Sequence, residues 1–217
     1  MNFPTVLLSG FAPFAGDTIN PSREVVRALA GRVIAGHRVE IAELPVAFAA
    51  ARRELAAAID RTQPALVLAI GQAGGRACMS LERVAINWID ARIADNDGVQ
   101  PIDEPVIADA PAAHFSTLPV KAMRAAMQAA GVPTELSFSA GSYVCNAVFF
   151  ALMHRLAHHH PGARGGFIHI PYLPAQAALH PGAPSMALDT MTRGIAIAIE
   201  TALSHASDIR AIAGTLD

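Results

Sequence analysis

Short apolar runs alternate with segments of helical spacing along the chain, and this alternation restricts the fold more than any other feature of the sequence. The strand-like runs are "TVLLSG", "HRVEIAELP", "PALVLAIG", "TELSFSAGS" and "GGFIHIPYLP". The helical segments are "NPSREVVRALAGR", "AFAAARRELAAAIDR", "LPVKAMRAAMQAAG", "YVCNAVFFALMHRLAHHH" and a final helix from Ser185 to about Ser207. Strands that alternate with helices form a mostly parallel sheet that is covered on both faces. We therefore predict a single α/β domain over residues 1–217, a three-layer sandwich with a mostly parallel, twisted sheet and with residues 208–217 as a loosely ordered tail.

Composition and charge narrow the classes of partner. The chain has 217 residues, of which 53% are hydrophobic and 16% charged, and its mean hydropathy is +0.36. A surface with so few charges favours a homo-oligomer, a tetramer or a dimer, in which other subunits cover apolar area. The net charge of −2 and the pI of about 6.5 point away from nucleic acid and from an anionic membrane surface.

The two cysteines and the N-terminus favour a cytoplasmic protein. Cys78 and Cys145 do not form the disulfide framework of a small secreted domain. The start of the chain, "MNFPTVLLSGF", is apolar but lacks the basic region of a signal peptide, so we expect it to hold a buried first strand. No stretch is long enough without a charge or a proline to be a transmembrane helix.

Four unusual segments follow predicted strands and locate a site. They are "GFAPFAG", "GQAGGR", "SAGSYVCN" and "IHIPYLP". In open α/β sheets, ligands bind beyond the carboxyl ends of the strands, so we expect these segments to meet there.

Three residues in or near these segments are candidates for nucleophilic catalysis. If Ser142 caps its helix, Cys145 lies in the first turn, where a thiolate is favoured, although a buried structural cysteine fits its position equally well. His169 lies in an apolar strand near its carboxyl end and could meet Cys145 at the neighbouring strand-to-helix junction, lowering the thiol pKa. Glu82 could orient the imidazole, with Asp90, Asp95 and Asp97 as rival candidates.

Other features have weaker signals. Arg92 could stabilise an oxyanion, and Phe11 and Phe14 could hold a small flat ring between them. "GQAGGR" allows close approach of the backbone to a ligand but lacks the pattern of a P-loop. His154 and His158 are four residues apart on a helix, but the glutamate of a zinc-binding HExxH motif is absent, so we expect no metal there.

Together, these segments resemble the motifs of type I pyroglutamyl peptidase, also called pyrrolidone-carboxylate peptidase. The similar stretches are "LLSGFAPFAG…NPS", "GQAGGR…ERVAINWIDARIADNDG", "SAGSYVCNAVFFALMH" and "GFIHIPYLPAQA", in the family's order from about Leu7 to Gln176. The resemblance implies a cytosolic, cofactor-free and often tetrameric cysteine peptidase that removes N-terminal pyroglutamate from peptides. Ala12 and Ala15 depart from the family's usual Glu and Gly.

The resemblance also assigns roles to individual residues. It implies that Glu82, Cys145 and His169 are catalytic and that Arg92 lies near the oxyanion. It places Phe11, Phe14, Gln72, Tyr143 and Val144 in the substrate-binding site. Two other classes stay open on the residues alone, namely an enzyme that handles phosphate or nucleosides and a non-catalytic binding module on the same scaffold.

Overall fold

The computed structural model describes residues 3–214, which form one α/β domain around a seven-stranded sheet in the order β2-β3-β1-β4-β9-β5-β8. The sheet strands are β1 (Thr5–Phe11), β2 (Val33–Ile34), β3 (His37–Leu44), β4 (Leu66–Gln72), β5 (Met79–Glu82), β8 (Thr134–Ser137) and β9 (Arg164–Ile170). A separate hairpin consists of β6 (Val84–Ile86) and β7 (Ala113–Phe115). The helices are α1 (Pro21–Leu29), α2 (Phe48–Thr62), α3 (Val120–Ala129), α4 (Val144–His159), α5 (Pro174–Ala177) and α6 (Leu188–Ser204).

Local signals in the sequence explain where α1 begins and ends. The Asn20 side chain accepts a hydrogen bond from the Ser22 N–H, and Pro21 occupies the first helical position, where its missing N–H costs nothing. Gly31 follows the helix with a φ of +73°, a left-handed conformation that favours glycine. The predicted cap, first residue and glycine end of this helix are confirmed.

Helices cover both faces of the sheet, which confirms the three-layer fold. One apolar cluster joins α1, α3 and α6 to side chains such as Leu8, Leu68 and Ile168. A second cluster joins α2 and α4 to the opposite face, which carries Leu7 and Phe167. The strands β1, β4 and β9 are buried almost throughout, so they carry apolar residues on both faces.

The sheet is mostly parallel, but its β5–β8 edge runs in the opposite direction. The strands β3, β1, β4 and β9 pair in parallel, whereas β5 is antiparallel to β9 and parallel to β8. The carboxyl end of β8 therefore does not lie with those of β1, β4 and β9, and β5 separates β8 from β9. The segment "SAGSYVCN" was expected to follow a strand next to that of His169. This is wrong, because β5 lies between β8 and β9. Residues 138–143 connect the end of β8 to the start of α4.

Several short elements were not predicted. The strand β5 is only four residues long, β2 two, and α5 four, which is too little for a periodic signal. The final helix begins at Leu188 rather than Ser185 and ends at Ser204. Of the expected tail, the Asp208 carboxylate accepts hydrogen bonds from the backbone N–H groups of Lys121 and Ala122, while residues 215–217 lie outside the described part of the chain. Within residues 3–214, no helix is both long and apolar enough to cross a membrane.

Candidate active site

A buried glutamate joins a histidine and an arginine where β5 pairs with β9. Glu82, at the end of β5, is fully buried, and its Oε1 is 2.7 Å from Nδ1 of His169 on the adjacent strand β9. The same oxygen accepts a hydrogen bond of 2.7 Å from a guanidinium N–H of Arg76. Arg76 and His169 thus both donate to one carboxylate oxygen of Glu82. We call these three residues the acid–base group. It holds the imidazole in one orientation, with Nε2 free to exchange a proton.

Cys145 lies on the same face of the sheet, in the first turn of α4. Its Sγ would be 2.9 Å from a Cβ atom placed on Gly71, and Gly71 is the residue that pairs with His169 across β4 and β9. The same Cβ would be 2.7 Å from the ring of Phe167. Glycine at position 71 therefore gives the thiol room beside the strand residue that carries the imidazole.

The thiol of Cys145 bears its proton in this environment. Burial and, to a smaller extent, the Glu82 carboxylate raise its pKa, the Arg76 guanidinium lowers it, and the resulting pKa is about 12. The expected helix cap is also wrong, since Ser142 donates its hydroxyl to the carbonyl of Asp90 and α4 begins after Tyr143 without a side-chain cap. The predicted lowering of the Cys145 pKa is thus not found, because desolvation outweighs the nearby positive charge.

A small cavity opens beside Cys145. Its volume is about 130 Å³, and it is lined by Phe11, Phe14, Asn20, Val46, Gln72, Tyr143, Val144 and Cys145. A cavity of about 150 Å³ is enough to hold benzene, so this one fits a single small ring. We call it the ring pocket. It contains all the predicted substrate-binding residues except Arg92.

Aromatic contacts and loop hydrogen bonds shape the ring pocket. The rings of Phe14 and Tyr143 have their centroids 5.6 Å apart, and Phe48 meets Tyr143 edge-on at 5.2 Å. The hydroxyl of Tyr143 donates to the carbonyl of Ala94, and burial raises its pKa to about 12, so it stays a neutral donor. These contacts fix one wall of the pocket next to the thiol.

Arg92 lies on the loop that supports this wall. The loop is tied to the residues before α4 by the Ser142–Asp90 and Tyr143–Ala94 contacts. Arg92 is exposed and has no hydrogen bond or ion pair within residues 3–214. Its guanidinium is therefore free to turn toward a ligand, but it forms no hydrogen bond or ion pair with Glu82, Cys145 or His169.

Comparison with known proteins agrees with this geometry. The family model described as pyroglutamyl peptidase matches residues 4–205. The chain belongs to the pyroglutamyl peptidase family. It is 58% identical over 214 residues to a pyrrolidone-carboxylate peptidase of Cupriavidus taiwanensis, covering 98% of this chain and 99% of the relative.

Solved structures of the pyroglutamyl peptidase family have the same fold. The crystal structure of pyroglutamyl peptidase I from Bacillus amyloliquefaciens superposes with a TM-score of 0.94 at 42% identity, covering 97% of this chain and 100% of that one. Pyrrolidone carboxyl peptidase from Thermococcus litoralis gives a TM-score of 0.92 at 36% identity, over 96% of this chain and 99% of that one. The predicted resemblance to the family is confirmed.

Some residues that build this pyroglutamyl peptidase site were missed from the sequence. Arg76 was grouped with a glycine-rich loop, and its ion pair with Glu82 was not predicted, because no regular helix or strand spacing links the two residues. Asn146, next to Cys145, is fully buried and hydrogen-bonds the backbone of Ile86 and Trp88, which ties α4 to the segment after Glu82. Nothing in the sequence pattern indicated this role of Asn146.

The rival candidates lie elsewhere. The Asp95 carboxylate accepts a hydrogen bond from the first N–H of α2, at Phe48, so it caps that helix. The backbone N–H of Asp97 also donates to Asp95, and the Asp90 carbonyl accepts from Ser142. Of these carboxylates and Glu82, it is Glu82 that contacts His169.

Two histidines of the run, His154 and His158, form an aromatic cluster with His114 and Phe150. Nε2 of His114 is 3.2 Å from Nδ1 of His154, and His154 lies against His158 and Phe150. No group of three or more histidines, cysteines or acidic residues in the described part of the chain could hold a metal ion. Cys78 is partly buried, and burial, together with Glu135, raises its pKa.

Proposed function

We propose that this chain is a cysteine peptidase that removes an N-terminal pyroglutamyl (5-oxoprolyl) residue from peptides through a thioester acyl-enzyme. The observation that carries the proposal is the buried Glu82–His169 pair on the same face as Cys145, at a pocket sized for one small ring. In the proposed roles, Cys145 is the nucleophile, His169 the general acid and base, and Glu82 the group that orients the imidazole.

The raised pKa of Cys145 determines the order of the first step. A thiol that keeps its proton needs a base at the moment of attack, so the proton moves from Sγ to Nε2 of His169 as Sγ bonds to the pyroglutamyl carbonyl carbon. The imidazolium then gives that proton to the leaving amine as the C–N bond breaks. Water, deprotonated by the same nitrogen, hydrolyses the thioester and restores the thiol.

The oxyanion forms at the start of α4. The backbone N–H groups of the first helical turn have no partner inside the helix, and they face the same end as Cys145. We assign the oxyanion to these groups, with Arg92 closing over it when substrate binds. Arg92 is exposed and unpaired in the described structure, which leaves it free for this movement.

The ring pocket suits a neutral lactam. Phe11, Phe14, Tyr143 and Val144 offer apolar and aromatic walls, while Gln72 adds a polar side chain. A free N-terminal amine or a linear glutamate would bring charge into this apolar space and pay its desolvation cost. Pyroglutamate has neither charge, so the pocket selects it.

We also propose that the protein is cytoplasmic and homo-oligomeric. Both cysteines are unpaired, and the proposed nucleophile needs a reducing compartment to stay a thiol. Large apolar side chains are exposed at Ile86, Trp88, Phe115 and Phe138, which favours burial against further copies. Sedimentation of the purified chain at micromolar concentration tests the oligomer, and a monomer would contradict it.

The test of function is release of a fluorescent amine from a pyroglutamyl amide by the reduced protein. Cys145→Ser is expected to lower turnover by at least about 1,000-fold, whereas Cys78→Ser, the matched control, leaves it unchanged. A prolyl amide, which lacks the ring carbonyl, is expected to be a poor substrate. A folded, reduced parent that releases no amine from the pyroglutamyl compound would overturn the proposal.

A further inference from the structure

Gln176 lies at a buried junction behind the ring pocket. It is 2% exposed, and it lies in the last predicted motif, as the third residue of α5. Its Nε2 donates to Oε1 of Gln72 at 2.9 Å and to Oδ2 of Asp17 at 2.9 Å, with the carbonyl of Ile19 at 3.4 Å. Its Oε1 accepts from the backbone N–H of Leu173 at 3.1 Å.

The chemistry of these neighbours allows only one orientation of the Gln176 amide. The Leu173 N–H can only donate, and the Asp17 carboxylate, when ionised, can only accept. The amide oxygen of Gln176 must therefore face Leu173, and its NH₂ must face Asp17 and Gln72. A reversed amide would place an oxygen against a carboxylate and an NH₂ against an N–H.

This orientation fixes the next amide in turn. Because the NH₂ of Gln176 can only donate, Gln72 must offer it the amide oxygen. The Gln72 NH₂ is then directed elsewhere, and within residues 3–214 it has no hydrogen-bond acceptor. Gln72 lines the ring pocket, so both N–H bonds are available to a ligand there.

We propose that Gln176 is a specificity-determining positioning residue, which orients Gln72 so that the ring pocket presents an amide donor. This inference rests on the proposed function and deepens it. The ring that fits is one with an acceptor oxygen at that point, a lactam carbonyl. A ring without it would cover the Gln72 donor and leave it unpaired.

The same junction holds the loop that carries Phe14. Asp17 and Ile19 lie in that loop, and their bonds to Gln176 fasten it to α5. Gln176 therefore couples the polar recognition of the ring to the position of its aromatic wall.

The test replaces the NH₂ donor of residue 176 by an acceptor oxygen of similar size. In Gln176→Glu, two acceptor oxygens face Gln72, so Gln72 turns its NH₂ toward residue 176 and presents its oxygen to the pocket. The expected result is a roughly 10- to 100-fold lower kcat/KM for the pyroglutamyl amide, mostly as a higher KM. The prolyl amide, which has no ring carbonyl, is expected to change by less than about twofold.

A second readout does not depend on peptidase activity. Binding of 2-pyrrolidinone is measured by its protection of Cys145 against iodoacetamide, followed by mass spectrometry. The variant should need at least about tenfold more lactam for half-protection, while the alkylation rate without lactam stays at the parent value. A parent that is protected by 2-pyrrolidinone but cleaves no pyroglutamyl amide would count against the function and not against the role of Gln176.

Controls separate orientation from charge repulsion and loss of packing. Asp17→Asn combined with Gln176→Glu removes the repulsion between two carboxylates and should restore thermal stability without restoring lactam binding. Gln176→Met leaves Gln72 free to adopt either orientation. Its loss of affinity for 2-pyrrolidinone should therefore be smaller than that of Gln176→Glu in the Asp17→Asn background. Gln128→Glu, at an exposed glutamine that donates to the carbonyl of Thr134, should leave both readouts unchanged. Unchanged protection by 2-pyrrolidinone in the folded double variant would overturn the proposal.

Discussion

The acid–base group and the ring pocket lie side by side but are built in different ways. Glu82 and His169 stand on adjacent strands, are 0% and 4% exposed, and are joined by a hydrogen bond of 2.7 Å. The ring pocket instead takes Phe14 and Tyr143 from loop positions, with ring centroids 5.6 Å apart. The first region is held by directional bonds between strands, and the second by aromatic contacts and hydrogen bonds between loops.

This difference follows from what each region has to do. Proton transfer needs heavy atoms within hydrogen-bond distance, and strands hold such distances well. Ring recognition depends on shape and on one or two polar contacts, so it tolerates a softer wall. We therefore expect changes in the acid–base group to affect kcat steeply, and changes in the ring pocket to affect mainly KM.

The largest expected effect is that of Glu82→Gln. The neutral amide can present NH₂ instead of oxygen to Nδ1 of His169, which favours the wrong tautomer and removes the stabilising negative charge. A fall in kcat of roughly 10⁴-fold is expected from the behaviour of catalytic triads. Steady-state assay of the pyroglutamyl amide checks it.

Arg76→Met serves as the comparison for Glu82→Gln, since it leaves the carboxylate on the imidazole but removes its second donor. The expected loss in kcat is smaller, about tenfold, which corresponds to about 1.4 kcal/mol. Equal losses in the two variants would mean that Arg76 and Glu82 act as one unit.

The next expected effect is a roughly 1,000-fold rise in the alkylation rate of Cys145 between about pH 7 and pH 10. With a thiol pKa of about 12, the thiolate fraction rises about tenfold per pH unit below that value. The rate of alkylation of Cys145 by iodoacetamide should thus climb from pH 7 to pH 10 without a plateau, measured at each cysteine by mass spectrometry. A rate that is flat above pH 7 would indicate a preformed thiolate–imidazolium pair instead.

The raised pKa of Cys145 also predicts how the stability of the folded protein changes with pH. The folded-state pKa of Cys145 lies above the ordinary thiol value of about 8.5, so its contribution to stability is complete below that pH. This contribution is lost as the pH rises toward 12, because the unfolded chain ionises first. Cys145→Ser should consequently lose less stability than the parent between pH 9 and pH 10.

Gly71→Ala tests the boundary between the two regions. The new Cβ would be 2.9 Å from the Cys145 sulfur and 2.7 Å from the Phe167 ring, so at least one must move. Displacement of a nucleophile by about 1 Å costs roughly 100-fold in rate, and overpacking costs roughly 1–3 kcal/mol of stability.

Gly162→Ala is the matched control for this substitution. An added Cβ at position 162 meets no heavy atom of the described residues within 4 Å. Its activity and its midpoint of thermal unfolding should therefore equal those of the parent. Parent-like turnover in Gly71→Ala would show that the thiol has more freedom than the packing indicates.

The sequence was informative about the sheet and the catalytic candidates because their signals are local. The cap at Asn20, the buried runs of β4 and β9, and a histidine in an apolar strand are each legible within about ten residues. The roles of Arg76 and Gln176 could not be read, because each depends on which distant donor or acceptor lies opposite. The direction of β8 was also hidden, since it is set by pairing with β5, a strand of only four residues.

The smallest expected effect concerns the loop of the ring pocket. Ala15 has a φ of +56°, where its Cβ is strained, and it lies next to Phe14. Ala15→Gly relieves about 1 kcal/mol of strain but gives the unfolded chain more freedom, so the net gain in stability should be no more than about 0.5 kcal/mol.

The looser loop should raise KM for the pyroglutamyl amide about twofold, because ordering Phe14 on binding costs more, and leave kcat unchanged. Ala35→Gly provides the control, since Ala35 has a φ of +46° in the turn between β2 and β3, away from the site. It should reproduce the change in stability without the change in KM. A fall in kcat for Ala15→Gly alone would mean that the wall of the ring pocket also positions the scissile carbonyl. The ring pocket would then affect kcat as well as KM, as the acid–base group does.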